Sequence, residues 1–93
     1  GVSEDGTKVW IMVVDGRNFY YSNGMSFVEL GQFMKAVGSY DAINLDGGGS
    51  STFFVRSAPG FSAGDRFEIR NWPTDGGGVE RAVCNGLLIV SNK

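Results

Sequence analysis

Two glycine triplets, Gly47-Gly48-Gly49 and Gly76-Gly77-Gly78, constrain this chain more than any apolar run does. Glycine weakens helix and strand interiors, so each triplet marks a loop that needs special backbone geometry or a close approach of something to the main chain. Glycine supplies fifteen of the ninety-three residues, about twice the roughly 7% of average usage. Apolar residues at 42% and charged residues at 19% still allow a buried core, and the length fits a single domain over residues 1–93.

Between the loops, hydrophobic patterning sets the element order. The run Val-Trp-Ile-Met-Val-Val over residues 9–14 is short and rich in β-branched residues, which predicts a buried strand containing Trp10. Ser26 followed by Glu29 predicts a capping box. Phe27, Leu30, Met34 and Val37 then recur on one helical face, and Gly38 supplies a left-handed end. Residues 42–45 predict a short strand that enters the first glycine triplet, and strand character resumes over residues 51–55. A strand-helix-strand unit of this length favours a right-handed parallel crossover, which would place Asp15 near Asp46 at the carboxyl edge of a sheet. Residues 57–65 read as a loop, 66–70 as a strand, 71–79 as a long glycine-rich loop and 81–90 as a closing core strand, with Cys84 buried within it among Ala82, Val83, Leu87 and Leu88. The expected class is α+β (mixed α/β), with one principal helix packed on a mixed β-sheet core.

Several functions are disfavoured at this stage. A net charge of −2 without a basic run argues against a nucleic-acid or membrane-surface partner and points to a small ligand. No apolar stretch approaches the roughly eighteen residues of a membrane span, and no signal-peptide pattern is visible. With no histidine in the chain, serine or cysteine catalysis through an imidazole cannot be built from it, and a zinc site would lack its usual nitrogen ligands. No Gly-Lys-Ser/Thr follows the first triplet, and no Gly-x-Ser-x-Gly elbow surrounds Ser50 or Ser51. Asp46 lacks the spaced oxygen ligands of a calcium loop, so neither a metal nor a cofactor is expected.

The sequence Asn44-Leu45-Asp46-Gly47-Gly48-Gly49-Ser50-Ser51-Thr52 is a polar turn between apolar segments. Its glycines let an anion approach backbone N–H donors, and Ser50, Ser51 and Thr52 add hydroxyls, which makes it a phosphate cradle as readily as a tight structural turn. This nonapeptide is similar to the signature of the phosphodiester glycosidases. Further matches follow the family's order: Val13-Val14-Asp15-Gly16-Arg17, then Ser22-Asn23-Gly24-Met25-Ser26 with Glu29-Leu30, then Asn71-Trp72-Pro73-Thr74-Asp75-Gly76 leading to Glu80-Arg81-Ala82-Val83. Ala82 departs from the family's frequent proline. The resemblance identifies the chain as the carboxy-terminal part of that domain, whose preceding half carries an Arg-Thr-Ala-like segment.

The resemblance implies hydrolysis of the anomeric C–O bond of sugar-phosphate diesters such as an N-acetylglucosamine-α-phosphodiester. Phosphate is a good leaving group, so the central tasks are to activate water and stabilise positive charge at the anomeric carbon, both suited to carboxylates. The catalytic candidates are Asp46 first, then Asp15, Glu80 and Glu29, weighed against turn-forming roles for the aspartates, an ion pair for Glu80 and the capping box for Glu29. Arg17 and Arg81 offer guanidinium forks to phosphate, against the plainer alternative of surface salt bridges. The remaining binding candidates are Asn23, Gly24, Asn44, Gly47, Gly48, Gly49, Ser50, Ser51 and Asn71, with Tyr20, Tyr21 and Trp72 as stacking surfaces for a sugar ring. The expected partners are a small sugar-phosphate or phosphoglycan, and the amino-terminal half as a second chain or a homo-oligomer. The alternatives are a non-catalytic phosphoglycan- or carbohydrate-binding module and a fragment that requires a complementing chain. By resemblance alone, the compartment is the secretory pathway or the bacterial cell envelope.

Overall fold

The structure, a computed structural model, describes residues 1–56 and 67–92. Its regular elements are one helix, α1 (Phe27–Ala36), and two short strands, β1 (Phe54–Arg56) and β2 (Phe67–Ile69), paired antiparallel. This element content fits a small α+β class.

Helix α1 begins and ends as its sequence requires. The Ser26 N–H donates to Glu29 Oε2 at 2.7 Å, and the Glu29 N–H donates to Ser26 Oγ at 3.3 Å, so two backbone donors orphaned at the helix start are satisfied reciprocally. At the other end Gly38 takes φ 103°, a conformation costly for any residue with a Cβ. Its N–H donates to the Lys35 carbonyl at 3.1 Å, and the Ser39 N–H reaches the Met34 carbonyl at 2.9 Å. These two bonds form a Schellman closure. Of the predicted apolar face, Leu30 and Met34 are half-buried, whereas Phe27 is 76% exposed. The helix does not pack on either strand. It abuts the amino-terminal segment instead, with Met34 beside Gly1 and the Trp10 ring over Gly38.

That segment is held as a narrow zipper. Val2 bridges both Val9 and Asp41 in antiparallel sense, its N–H donating to the Asp41 carbonyl and its own carbonyl accepting the Tyr40 N–H. Asp5 closes the intervening turn by accepting from the Ser3 hydroxyl at 2.7 Å and from the Thr7 hydroxyl and N–H at 2.8 and 3.0 Å.

Strands β1 and β2 pair Phe54 with Ile69, Val55 with Glu68 and Arg56 with Phe67. Phe54 and Phe67 meet edge to face on one side, their centroids 5.4 Å apart. The expected strands over residues 9–14, 42–45 and 81–90 are absent: Val9 keeps one isolated bridge, and no ladder forms at the others. A β-branched run becomes a strand only where a neighbouring segment supplies the complementary N–H and C=O groups, and none among the described residues does. Among the described residues no parallel crossover forms, and the helix has no mixed sheet to pack on. Cys84, expected to be buried, is exposed, as are Leu87, Leu88, Ile89 and Val90. The loop expected over residues 57–65 and Arg66 of the predicted strand lie outside the described residues.

Three hydrogen bonds to its ionised form, led by that from the Ser3 hydroxyl, lower the Asp5 pKa from 3.8 to about 2. Glu29 is lowered in the same direction, chiefly by the Ser26 N–H and then by the Ser26 hydroxyl. Because the folded values are depressed, the contribution of each group is present above its unfolded pKa and is lost as pH falls through the folded value. A carboxyl-carbon NMR titration is expected to place the Asp5 midpoint at about 2, and a midpoint at the ordinary 3.8 would contradict this turn geometry.

Candidate functional site

The second glycine-rich loop folds back on the first, and Asn71 fixes where they meet. After the backbone ladder ends with the Arg70 N–H donating to the Phe53 carbonyl at 2.7 Å, the Asn71 side chain continues it. Its Oδ1 accepts the Phe53 N–H at 2.7 Å and its Nδ2 donates to the Ser51 carbonyl at 2.8 Å. A side-chain amide thus takes the place of a peptide group and locks the exit of the turn containing Gly47, Gly48 and Gly49.

Four residues further along, the Asp75 N–H donates to the Gly49 carbonyl at 3.0 Å. A Cβ on Gly49 would collide with the Asp75 carboxylate and come within 3.0 Å of Thr74 Oγ1, so a side chain there would displace the Asp75 carboxylate from its place against the turn. Gly49 and Pro73 are the only buried residues among those described, and both lie in this junction. The Pro73 carbonyl accepts the Gly78 N–H at 2.8 Å, which folds the second triplet against the Trp72 ring.

Asp15 joins the junction from the amino-terminal side. Its Oδ1 accepts the Trp72 N–H at 2.8 Å, a contact across fifty-seven positions of sequence, while its carbonyl accepts the Ser22 hydroxyl at 2.6 Å. Arg17 follows at φ 54°, in the left-handed region, where a residue with a Cβ costs about 1 kcal/mol or more. A tight turn closed by Asn18 and Ser22 then lifts Phe19, Tyr20 and Tyr21 outward, with the Tyr21 ring centroid 6.5 Å from that of Trp72. Finally, Arg81 Nη1 donates to Asp75 Oδ2 at 2.7 Å.

The predicted site residues therefore divide. Gly49, Ser51, Asn71 and Asp15 are gathered directly, Arg81 joins through Asp75, and Gly47, Gly48 and Ser50 belong to the clamped turn. Asp15 is not brought to Asp46 by a shared sheet edge; it reaches the glycine turn through residues 72–75. The side chains of Asp46, Asn44, Asn23 and Glu80 are exposed and make no hydrogen bond among the described residues. Gly24 is also exposed; its N–H donates to Ser22 Oγ at 3.2 Å. Glu29 is committed to the helix cap, and the Thr52 hydroxyl donates to the Ser50 carbonyl at 2.9 Å. Sequence reasoning gave no role to Asp75; the available signal was a carboxylate six positions before Arg81 at the head of the second triplet. No group of three or more metal-binding side chains occurs among the described residues. A separate open groove of about 420 Å³, along Ser3, Asp5, Lys8 and Trp10, contains none of these residues.

Replacing Asn71 with Ala removes the acceptor for the Phe53 N–H and the donor for the Ser51 carbonyl together. Amide hydrogen exchange at Phe53 is expected to accelerate about tenfold or more, on the scale of one to two kcal/mol for a lost hydrogen bond. An unchanged rate would show that the side-chain amide does not hold the turn.

Comparison with known proteins adds one positive finding. No curated protein and no solved structure matches the chain. No described helix is long and apolar enough to cross a membrane. The sequence model of the family described as phosphodiester glycosidase matches residues 1–90, a span that includes every residue of the junction, and the chain belongs to that family.

Proposed function

We propose that the chain acts as a glycosidase on sugar-phosphate diesters, with N-acetylglucosamine-α-phosphodiesters as the substrate class. The observation that carries this reading is the junction itself: the glycine turn most similar to the family signature is clamped beside an arginine held by Asp75. Family membership supports the same reaction class.

In this reading the diester phosphate lies against the exposed Gly47 and Gly48, with their N–H groups and the Arg81 and Arg17 guanidiniums as donors, while the buried Gly49 backs the turn. Asp46, exposed at the entrance of the turn, takes a proton from water as the water oxygen bonds to the anomeric carbon. The anomeric C–O bond breaks with its electron pair leaving on the phosphate oxygen, giving a free sugar and a phosphate monoester. Asn23, Gly24, Asn44, Ser50 and Ser51 line the sugar side, and Glu80 is a reserve carboxylate. Asp15 and Asn71 act by positioning, since their side chains already bond the backbone at Trp72, Phe53 and Ser51. Glu29 serves the helix.

A second reading is favoured by one specific observation. Apart from Pro73, none of the described apolar side chains is buried, and Leu87, Ile89, Ile43 and Phe27 are each more than two-thirds exposed. Apolar surface on this scale is normally covered by protein. A complementing chain or a homo-oligomer would supply that cover, and the isolated chain would then bind a phosphoglycan without turning it over. A secreted or cell-envelope setting accompanies either reading.

The test is release of sugar from an N-acetylglucosamine-α-phosphodiester by the parent chain and by Asp46→Asn. Loss of about 100-fold or more in the variant, with binding retained, is expected for removal of a general base. Equal release by both would reject Asp46 as that base, and binding without release by the parent would favour the second reading.

A further inference from the structure

We infer that Asp75 is a positioning residue that sets Arg81 in register with the glycine turn, so that guanidinium and turn amides present to one phosphate group; this rests on the proposed function. Three parts of Asp75 engage two different elements. Its N–H donates to the Gly49 carbonyl at 3.0 Å, its Oδ1 lies against the Gly49 backbone where a Cβ would collide, and its Oδ2 accepts from Arg81 Nη1 at 2.7 Å. The carboxylate is therefore fixed to the turn at its base and to the arginine at its tip. The Arg81 side chain is 60% exposed and lies outside any regular element, and its hydrogen bond among the described residues is the one to Asp75. Such a surface pair adds little to stability. Its effect is orientation: a guanidinium has five donors, and one engaged with Asp75 leaves the others directed by a plane that Asp75 fixes.

This role makes a prediction opposite in sign to simple electrostatics. Asp75→Asn removes a negative charge next to the arginine, which by Coulomb's law alone would tighten anion binding. A positioning role requires the reverse. Titrating N-acetylglucosamine 1-phosphate into the chain, the affinity of Asp75→Asn is expected to fall about tenfold, the scale of one charge-assisted hydrogen bond. In an Arg81→Gln background the same replacement is expected to add nothing, because the two residues act as a unit. Equal or tighter binding by Asp75→Asn, or additive losses in the double variant, would overturn the inference.

If the parent binds no sugar phosphate, the proposed function fails, and the coupling is read from the free protein. Arg81→Gln is then expected to shift the amide resonances of Gly49 and Asp75 as Asp75→Asn does. Resonances unmoved by Arg81→Gln would overturn it.

Discussion

At Gly49 the bare backbone lets two glycine-rich loops meet. Asp75 and Thr74 occupy the space a Cβ would take, and the Asp75 N–H closes the contact on the Gly49 carbonyl. Everything else in the site is arranged around this approach. Asn71 fixes the exit of the turn, Asp15 fixes the start of the second loop through Trp72, and Arg81 is drawn in through the Asp75 carboxylate. Burial follows the same pattern, since Gly49 and Pro73 are more enclosed than any leucine or isoleucine among the described residues. Backbone hydrogen bonding and steric fit, more than a hydrophobic interior, define the ordered centre.

The features legible in the sequence are those whose physics is local. A capping box is complete within four residues, and a left-handed glycine closes a helix whatever surrounds it, so Ser26, Glu29 and Gly38 were readable without knowledge of the fold. Strands are different. The runs at residues 9–14 and 81–90 carry strong β character, yet strand formation depends on a partner that the runs themselves do not specify. The pairing that does form, Phe54 with Ile69, joins segments whose sequences gave weaker signals.

The candidate site shows the same division. Its glycines and Asn71 were visible because turn chemistry and the family resemblance point to them. Their roles were less visible, because a side-chain amide that continues a ladder or a carboxylate that accepts a distant N–H leaves no periodic trace. One carboxylate oxygen of Asp15 and both polar atoms of the Asn71 amide are occupied by backbone groups, which favours positioning over chemistry, while Asp46 has its carboxylate exposed beside the turn. The same logic explains why Glu29, drawn into the helix cap, is a weaker catalytic candidate than its place in the motif implies.

The central claim is that the residue 71–75 loop is clamped onto Gly49 because a glycine there admits Asp75. The most direct measurement is amide hydrogen exchange at Asp75 in the parent chain and in Gly49→Ala. A steric clamp predicts a protected Asp75 N–H in the parent and loss of that protection in the variant, as the added methyl group forces the loops apart. An Asp75 amide that exchanges freely in the parent, or one equally protected in Gly49→Ala, would contradict it.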